Sequence, residues 1–255
     1  MSMKQNSVYE TLMNEYTNSY KNGLYHQTQI IFSYNSNRIE GNSLTKDQTR
    51  TIWETNSFIQ EKEQVVKADD ILDVTNHFRA FNFILGTMTK ELNVDYLKEL
   101  HSIVKAGCRD IAVIGDFKQK PNFVGDMKTT PPKAVEKAIK ILLNDYNTTA
   151  DCAFNDIVDF HFHFEKFHPF EDGNGRVGRL IMFKECLKNN VVPFIIDEQH
   201  RLFYYRGLQK YEENKGFLID TCLSCQDEYK ELLAYFEIKI DEANDNIRKP
   251  KGLRR

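Results

Sequence analysis

The residues of this chain best suited to chemistry crowd into one stretch, HPFEDGNGRVGR at 168–179. His168 and two adjacent acids, Glu171 and Asp172, precede Gly173-Asn174-Gly175, and Arg176 and Arg179 follow three apart. Small residues ahead of Leu180, Ile181 and Phe183 predict a helix that opens at the Gly-Asn-Gly, with Asn174 able to cap it. The glycines let the backbone approach a ligand and aim N–H groups at it. The helix N-terminus adds roughly half a positive elementary charge, which makes an anion site. Arg at i and i+3 share a helix face, and each planar fork can hold one phosphate. Asp172 or Glu171 can supply an oxygen ligand for Mg²⁺, which takes one or two carboxylates together with phosphate oxygens. His168, its backbone restricted by Pro169, suits a general base, a role worth typically about 10²–10⁴-fold. Such a set performs nucleotidyl transfer: a base takes the proton of a hydroxyl, and the oxygen attacks phosphorus. Singly, each piece has an ordinary reading as a structural His, a glycine turn, a solvated Arg face or an Asp-Gly hairpin turn. Their union in one loop favours the phosphate site.

The rest of the chain must position that loop. With 255 residues, 41% hydrophobic and 28% charged, the composition is that of a soluble globular protein with room for a substantial core. Gly and Pro are sparse, and apolar residues recur at helical spacing. Helices are predicted near 5–20, 25–39, 46–57, 65–88, 94–105, 132–146, 151–167, 174–189, 198–213 and 217–244. No repeat or low-complexity linker divides them, so one all-α domain over 1–255 is expected. The break is GCRDIAVIGDFKQKPNFVGDMKTTPP at 107–132, where Gly, Pro and short apolar pieces predict a β-hairpin or extended flap. A net charge of −3 offers no basic field for nucleic acid. The longest apolar run, VVPFII at 191–196, is too short to span a bilayer. The opening MSMKQNSVYE lacks an apolar signal core, and five scattered Cys suit reduced thiols. A cytoplasmic location without membrane association is therefore expected. The basic tail NIRKPKGLRR at 246–255 reads as a solvated end.

The loop resembles the signature HPFx(D/E)GNGRxxR of the Fic (filamentation induced by cAMP) family, with every defined position met, and DFHFHFEKF before it resembles the family's preceding helix. The likeness spans roughly residues 30–240. It implies an all-α core with a short hairpin flap at about 115–131, a catalytic loop and helix at 168–189 and C-terminal helices at 198–244. It implies AMP transfer from ATP to a Ser, Thr or Tyr hydroxyl of a protein, itself included, with release of pyrophosphate. His168 then corresponds to the base and Asp172 to the Mg²⁺ ligand, with Glu171 at the variable position. The amides of Gly173 and Gly175, with Asn174, correspond to the anion hole, and Arg176 and Arg179 to the grips on the β- and γ-phosphates. Phe170 corresponds to a core anchor. The flap residues Val124, Gly125, Asp126, Met127, Lys128 and Thr129 correspond to the segment that covers the nucleotide and docks the target as an added strand. Tyr204 and Tyr205 match a tyrosine pair near the adenine, and Glu212 stands where relatives often have Asn at the adenine edge. A homodimer is compatible with the likeness.

A second stretch, SNRIEGN at 36–42, resembles the family's inhibitory motif (S/T)xxxE(G/N), carried here on a helix at about 25–40. Ser36 and Glu40 share a helix face, and Gly41 stops the helix after Glu40. The likeness implies that Glu40 pairs with Arg179, which then cannot grip the γ-phosphate. In some relatives the same Glu positions a water that removes AMP.

Other readings stay open at this point. One is transfer of UMP, phosphocholine or a γ-phosphate on the same fold; another is a binding module that kept the loop. A third is a metallohydrolase that uses His161, Glu165 and His168, one helical face with His163 close by. Cys222 and Cys225 form a CxxC in DTCLSCQD, for which buried thiols are the simpler reading.

Overall fold

The computed structural model describes residues 6–59, 65–124 and 127–240. Among them the helices are α1 (Ser7–Thr17), α2 (Leu24–Ile39), α3 (Lys46–Thr55), α4 (Ala68–Gly86) and α5 (Val94–Val104). A two-stranded hairpin follows, β1 (Phe123–Val124) and β2 (Met127–Lys128). The chain continues through α6 (Pro132–Asn147), α7 (Phe154–Phe167), α8 (Asn174–Lys188), α9 (Arg201–Lys210) and α10 (Gly216–Tyr235). The fold is all-α, as expected.

Helix α8 forms the centre, with α2, α4, α5 and α7 packed around it. Every residue from Asn174 to Leu187 is buried. A helix buried on all sides is ordinarily apolar all round. Here the buried residues include Arg176, Arg179, Lys184 and Glu185, and buried charges need partners inside the protein. Lys184 Nζ meets Glu185 Oε1 at 2.6 Å and the Lys90 carbonyl at 2.7 Å. The Tyr146 hydroxyl donates to Glu185 Oε2 at 3.0 Å. The two arginines take their partners from other helices and build the site.

An aromatic triangle locks α2 and α4 onto α8. Phe32, Phe81 and Phe183 pack with ring centroids 5.9, 5.2 and 5.3 Å apart, within the range of favourable ring pairs. The triangle therefore fixes the helix that ends at Glu40 against the helix that carries Arg179. Glu40 is the C-cap of α2, and Gly41 follows with φ +90°, a left-handed turn that glycine adopts without steric cost.

Several boundaries differ from the sequence expectation by about three residues, and the end of the last helix by more. Helix α9 begins at Arg201 because Asp197 Oδ1 accepts the His200 N–H at 2.8 Å and organises a turn instead. Helix α10 stops at Tyr235. Glu237 takes φ +57°, and the N–H groups of Glu237 and Ile238 turn back to the carbonyls of Ala234 and Leu233. This is the Schellman closure, formed here without glycine. Positions 241–244 and the basic tail lie outside the described residues. In the flap, pairing is confined to Phe123↔Lys128 and Val124↔Met127; the apolar IAVI at 111–114 forms no strand. Gly125 and Asp126 also lie outside the described residues.

Truncation of Phe81 to Ala should destabilise the chain by about 3–5 kcal/mol, read as a lower urea midpoint at unchanged slope. Ile141→Ala, at a position 51% exposed, should stay within about 0.5 kcal/mol.

Candidate active site

Helix α7 ends where Pro169 forbids its continuation. His168 is its C-cap in the left-handed region, φ 48° and ψ 63°, with its N–H bonded to the Phe164 carbonyl at 3.0 Å. The loop beyond is closed by Asn174, whose Oδ1 accepts the Phe170 N–H at 2.8 Å and whose Nδ2 donates to the Phe170 carbonyl at 3.0 Å. The capping expectation for Asn174 is thereby corrected. Gly173, φ 78°, is the N-cap residue and Asn174 is the first helical residue; the Asn side chain is spent on the loop. Phe170 is fully buried and stacks on His101 at 3.9 Å with 2° between the planes. His101 Nε2 donates to the Asp172 carbonyl at 3.0 Å, and its Nδ1 accepts the Gly115 N–H at 3.0 Å. The two bonds together fix the tautomer.

The arginines diverge from their shared stretch of helix. Arg176 pairs with Asp73 of α4 at 2.5 Å and with Asp172 at 2.8 Å. Lys105, with no exposed surface, joins them by contacting Asp172 at 2.8 Å, Asp110 at 3.0 Å and Asp73 at 3.4 Å. Burial opposes the charge on Asp172, but Arg176 and Lys105 outweigh it and hold the carboxyl down at about 2. Arg179 turns toward α2 instead. Its Nε donates to Ser36 Oγ at 3.1 Å, and its Nη2 donates to the Ser36 carbonyl at 2.8 Å and to Glu40 Oε1 at 2.7 Å. Burial works against the Arg179 charge, Glu40 restores it, and the group titrates above the usual arginine range. The Glu40 carboxylate lies where a Cβ on residue 175 would have to go. The helix N-terminus thus holds an anion that belongs to the protein itself.

His168 flanks this centre. Burial, followed by the Lys118 cation, lowers its imidazole to about 4, and its Nδ1 is buried without a hydrogen-bond partner. The ring is therefore neutral at pH 7 and free to accept a proton. Lys118 ties the flap to the loop. Its N–H bonds to the Pro169 carbonyl at 2.9 Å, and its Nζ donates to Thr129 Oγ1 at 2.6 Å and Asn122 Oδ1 at 2.7 Å. Asn122 Nδ2 in turn donates to the Phe170 carbonyl at 3.0 Å. Phe123, Val124 and Lys128 are exposed on the hairpin. Glu171 is engaged by the segment before the flap, accepting the N–H groups of Val113 at 3.1 Å and Ala112 at 3.4 Å.

Tyr204 is buried, hydrogen-bonded to His161 Nε2 at 2.7 Å, with its ring 5.9 Å from the Arg179 guanidinium. The Tyr205 hydroxyl donates to the Ile39 carbonyl at the end of α2 at 3.0 Å. Glu212 is exposed just past α9 and pairs with Lys166 of α7 at 2.7 Å. The metallohydrolase set does not assemble. Among the described residues His161, Glu165 and His168 form no group of three close ligand atoms; His161 is committed to Tyr204, and burial, opposed by Arg179, raises Glu165 to about 8. Cys222 and Cys225 are buried free thiols. Sequence reasoning missed Asp73, Lys105, His101 and Lys118. They lie on α4, on α5 and in the flap, far from the motif in sequence, and no local pattern marks them.

A helical bundle whose central helix opens on two buried arginines, a neutral His and a short flap defines the class of the site. Residues 91–186 match the Fic/DOC family model, so the chain carries a Fic domain. Curated relatives include the protein adenylyltransferase Fic of Nematostella vectensis, 29% identical over 181 residues, 69% of this chain and 42% of that protein. The namesake from Aedes aegypti is 30% identical over 194 residues, 73% of this chain and 38% of that protein. The chain therefore spans less than half the length of these relatives. A Fic domain containing signaling protein from Bacteroides thetaiotaomicron has the same fold, with a TM-score of 0.75 at 18% identity over 92% of this chain and 99% of that one. Fic-1 from C. elegans gives a TM-score of 0.71 at 18% identity over 91% of this chain and 72% of that one. Among the described residues, no helix is long and apolar enough to cross a membrane.

The His168 titration can be followed by ring-nitrogen NMR. Its midpoint should lie near 4, and Lys118→Met should move it back part of the way toward 6.5, because one of the two causes lowering it is removed. A midpoint near 6.5 in the unmodified chain would show that the ring is not desolvated.

Proposed function

We propose that this chain is a protein adenylyltransferase that moves AMP from ATP to a Ser, Thr or Tyr hydroxyl of a protein and is restrained by its own Glu40. The observation that carries this reading is a neutral imidazole beside a helix N-terminus furnished with two buried arginines. The names of the curated relatives support the same reaction. His168 takes the proton of the target hydroxyl, the freed oxygen forms a bond to the α-phosphorus, and the bond from that phosphorus to the bridging oxygen breaks as pyrophosphate leaves. The amides of Gly173 and Gly175 with Arg176 and Arg179 hold the leaving phosphates by oriented positive charge. Asp172 fits a divalent cation. Its carboxylate is ionised, both of its cationic partners contact Oδ2, and Glu171 is taken up by the segment before the flap. When bound there, Mg²⁺ would offset phosphate charge. Tyr205, beside the end of α2, is partly exposed, as a residue that meets a base must be. The exposed hairpin supports strand addition by the target.

Restraint follows from competition. A guanidinium that holds Ser36 and Glu40 has no free fork for the γ-phosphate, so ATP cannot adopt the pose that in-line attack requires.

The test is label transfer from ATP marked on the α- or γ-phosphate, with intact mass alongside. Glu40→Gly should speed AMP transfer by about ten- to hundredfold, the factor for a charge-assisted hydrogen bond of about 1.5–3 kcal/mol. Only α-label should appear, and Glu40→Gly/His168→Ala should lose it. Transfer of γ-label would make the chemistry phosphorylation. A Glu40→Gly rate equal to that of the unmodified chain would remove the restraint from the scheme.

A further inference from the structure

A second cluster of chemistry-bearing side chains lies outside the candidate active site. Asp197 and His200 stand three apart in the turn that leads into α9, and Cys225 and Glu228 stand three apart on one face of α10. The ligand atoms of Asp197, His200 and Cys225 all lie within 4.8 Å of one another. His200 Nδ1 is 3.0 Å from Asp197 Oδ2 and 3.9 Å from Glu228 Oε1. Cys225 is 1% exposed. Asp197, Cys225 and Glu228 also line a cavity of about 420 Å³ beside Tyr34.

Part of this arrangement has an ordinary cause. Asp197 Oδ1 accepts the His200 N–H, an Asx turn that starts a helix, and this alone accounts for an Asp beside a His. It does not account for a buried thiol and a second carboxylate arriving at the same point from the neighbouring helix. Asp197 and Glu228 both approach His200 Nδ1, at 3.0 and 3.9 Å, so two carboxylates converge there. Neighbouring carboxylates favour a cation held between them.

We propose that Asp197, His200, Cys225 and Glu228 form a binding site for a zinc ion. One thiolate, one imidazole and two carboxylates suit tetrahedral Zn²⁺, with bonds of about 2.3 Å to sulfur and 2.0–2.2 Å to nitrogen and oxygen. At those lengths neighbouring ligand atoms stand roughly 3.3–3.7 Å apart, so movements of about 1 Å bring Asp197, His200 and Cys225 to the ion, and Glu228, 3.9 Å from His200 Nδ1, completes the shell. The metal takes the place of the thiol proton, which is released to solvent. With the ion bound, Nδ1 would exchange its bond to Asp197 Oδ2 for the metal, and Ser224 Oγ, 3.1 Å from His200 Nε2, would accept Nε2–H and hold that tautomer.

The consequence is mechanical. Glu198, inside the same turn, accepts from Arg38 Nε and the Tyr34 hydroxyl at 2.9 Å each, and its N–H donates to Asn35 Oδ1 at 3.1 Å. The turn therefore carries the outer face of α2. Zinc would tie this support to α10.

The experiment is titration of the full chain with Co²⁺, which reports a thiolate ligand by a sulfur-to-cobalt charge-transfer band in the near ultraviolet. One equivalent should raise the band, and Zn²⁺ should abolish it by displacement. Cys225→Ser and His200→Gln, each shown to be folded by circular dichroism, should lose the band. Zn²⁺ should also raise the melting temperature of the unmodified chain and not of the variants. Absence of the band, or an equal band in Cys225→Ser, would overturn the assignment, the latter by showing that another cysteine takes the metal.

Discussion

Two guanidinium groups at the N-terminus of a fully buried helix impose the main constraint on this fold. Each such charge costs several kcal/mol to bury unless anions meet it there. The bundle meets the demand from two directions. Helix α4 delivers Asp73 to Arg176, with Asp172 adding a second contact. Helix α2 delivers Ser36 and Glu40 to Arg179. The helices around α8 are therefore held by electrostatics as well as by the Phe32–Phe81–Phe183 triangle. Regulation of the proposed kind grows out of the same demand. If Glu40 withdraws, Arg179 and the helix end must find another anion, and a nucleotide phosphate is one. Protein carboxylate and phosphate then compete for one buried site, and the restraint is a difference in affinity rather than a blocked path.

The same low-dielectric centre sorts the other titratable groups. His77, His101, His161 and His168 are all pushed well below the usual histidine range, in each case first by burial. Glu165 is pushed the opposite way for the same reason. Charge is thus concentrated on the few groups that have close partners, and the rest stay neutral. The proposed reaction depends on a neutral His168, because a cationic ring could not accept the proton of a hydroxyl. Lys118 serves twice, as the tie between flap and loop and as a cation that keeps the His168 ring unprotonated.

The loop at 168–179 and the end of α2 were legible in the sequence because their chemistry is local. His168, Asp172, Gly173, Arg176 and Arg179 fall within one loop and the first turns of a helix, and Ser36 and Glu40 within one turn. Helix positions were legible from apolar spacing, since most of these helices bury one face and α8 opens at Gly173. What could not be read is long-range. Nothing near Asp73 or Lys105 says that they meet Asp172, because that contact depends on how α4 and α5 cross α8. The role of Asn174 also differs from expectation, because a cap and a loop closure use the same side-chain atoms and only the backbone at Gly173 decides between them. The early stop of α10 was hidden because Glu237 occupies the left-handed position at which sequence reading looks for glycine.

Competition between Glu40 and the γ-phosphate for Arg179 is the central claim, and paired calorimetric titrations with ATP and ADP test it most directly. On a His168→Ala background, which prevents turnover, the ratio of ATP to ADP affinity would be compared with and without Glu40→Gly. Only ATP carries the phosphate that Arg179 would grip. The predicted result is that Glu40→Gly tightens ATP by about tenfold or more relative to ADP, as expected for release of one charge-assisted contact. Equal gains for the two nucleotides, or no gain for either, would contradict it.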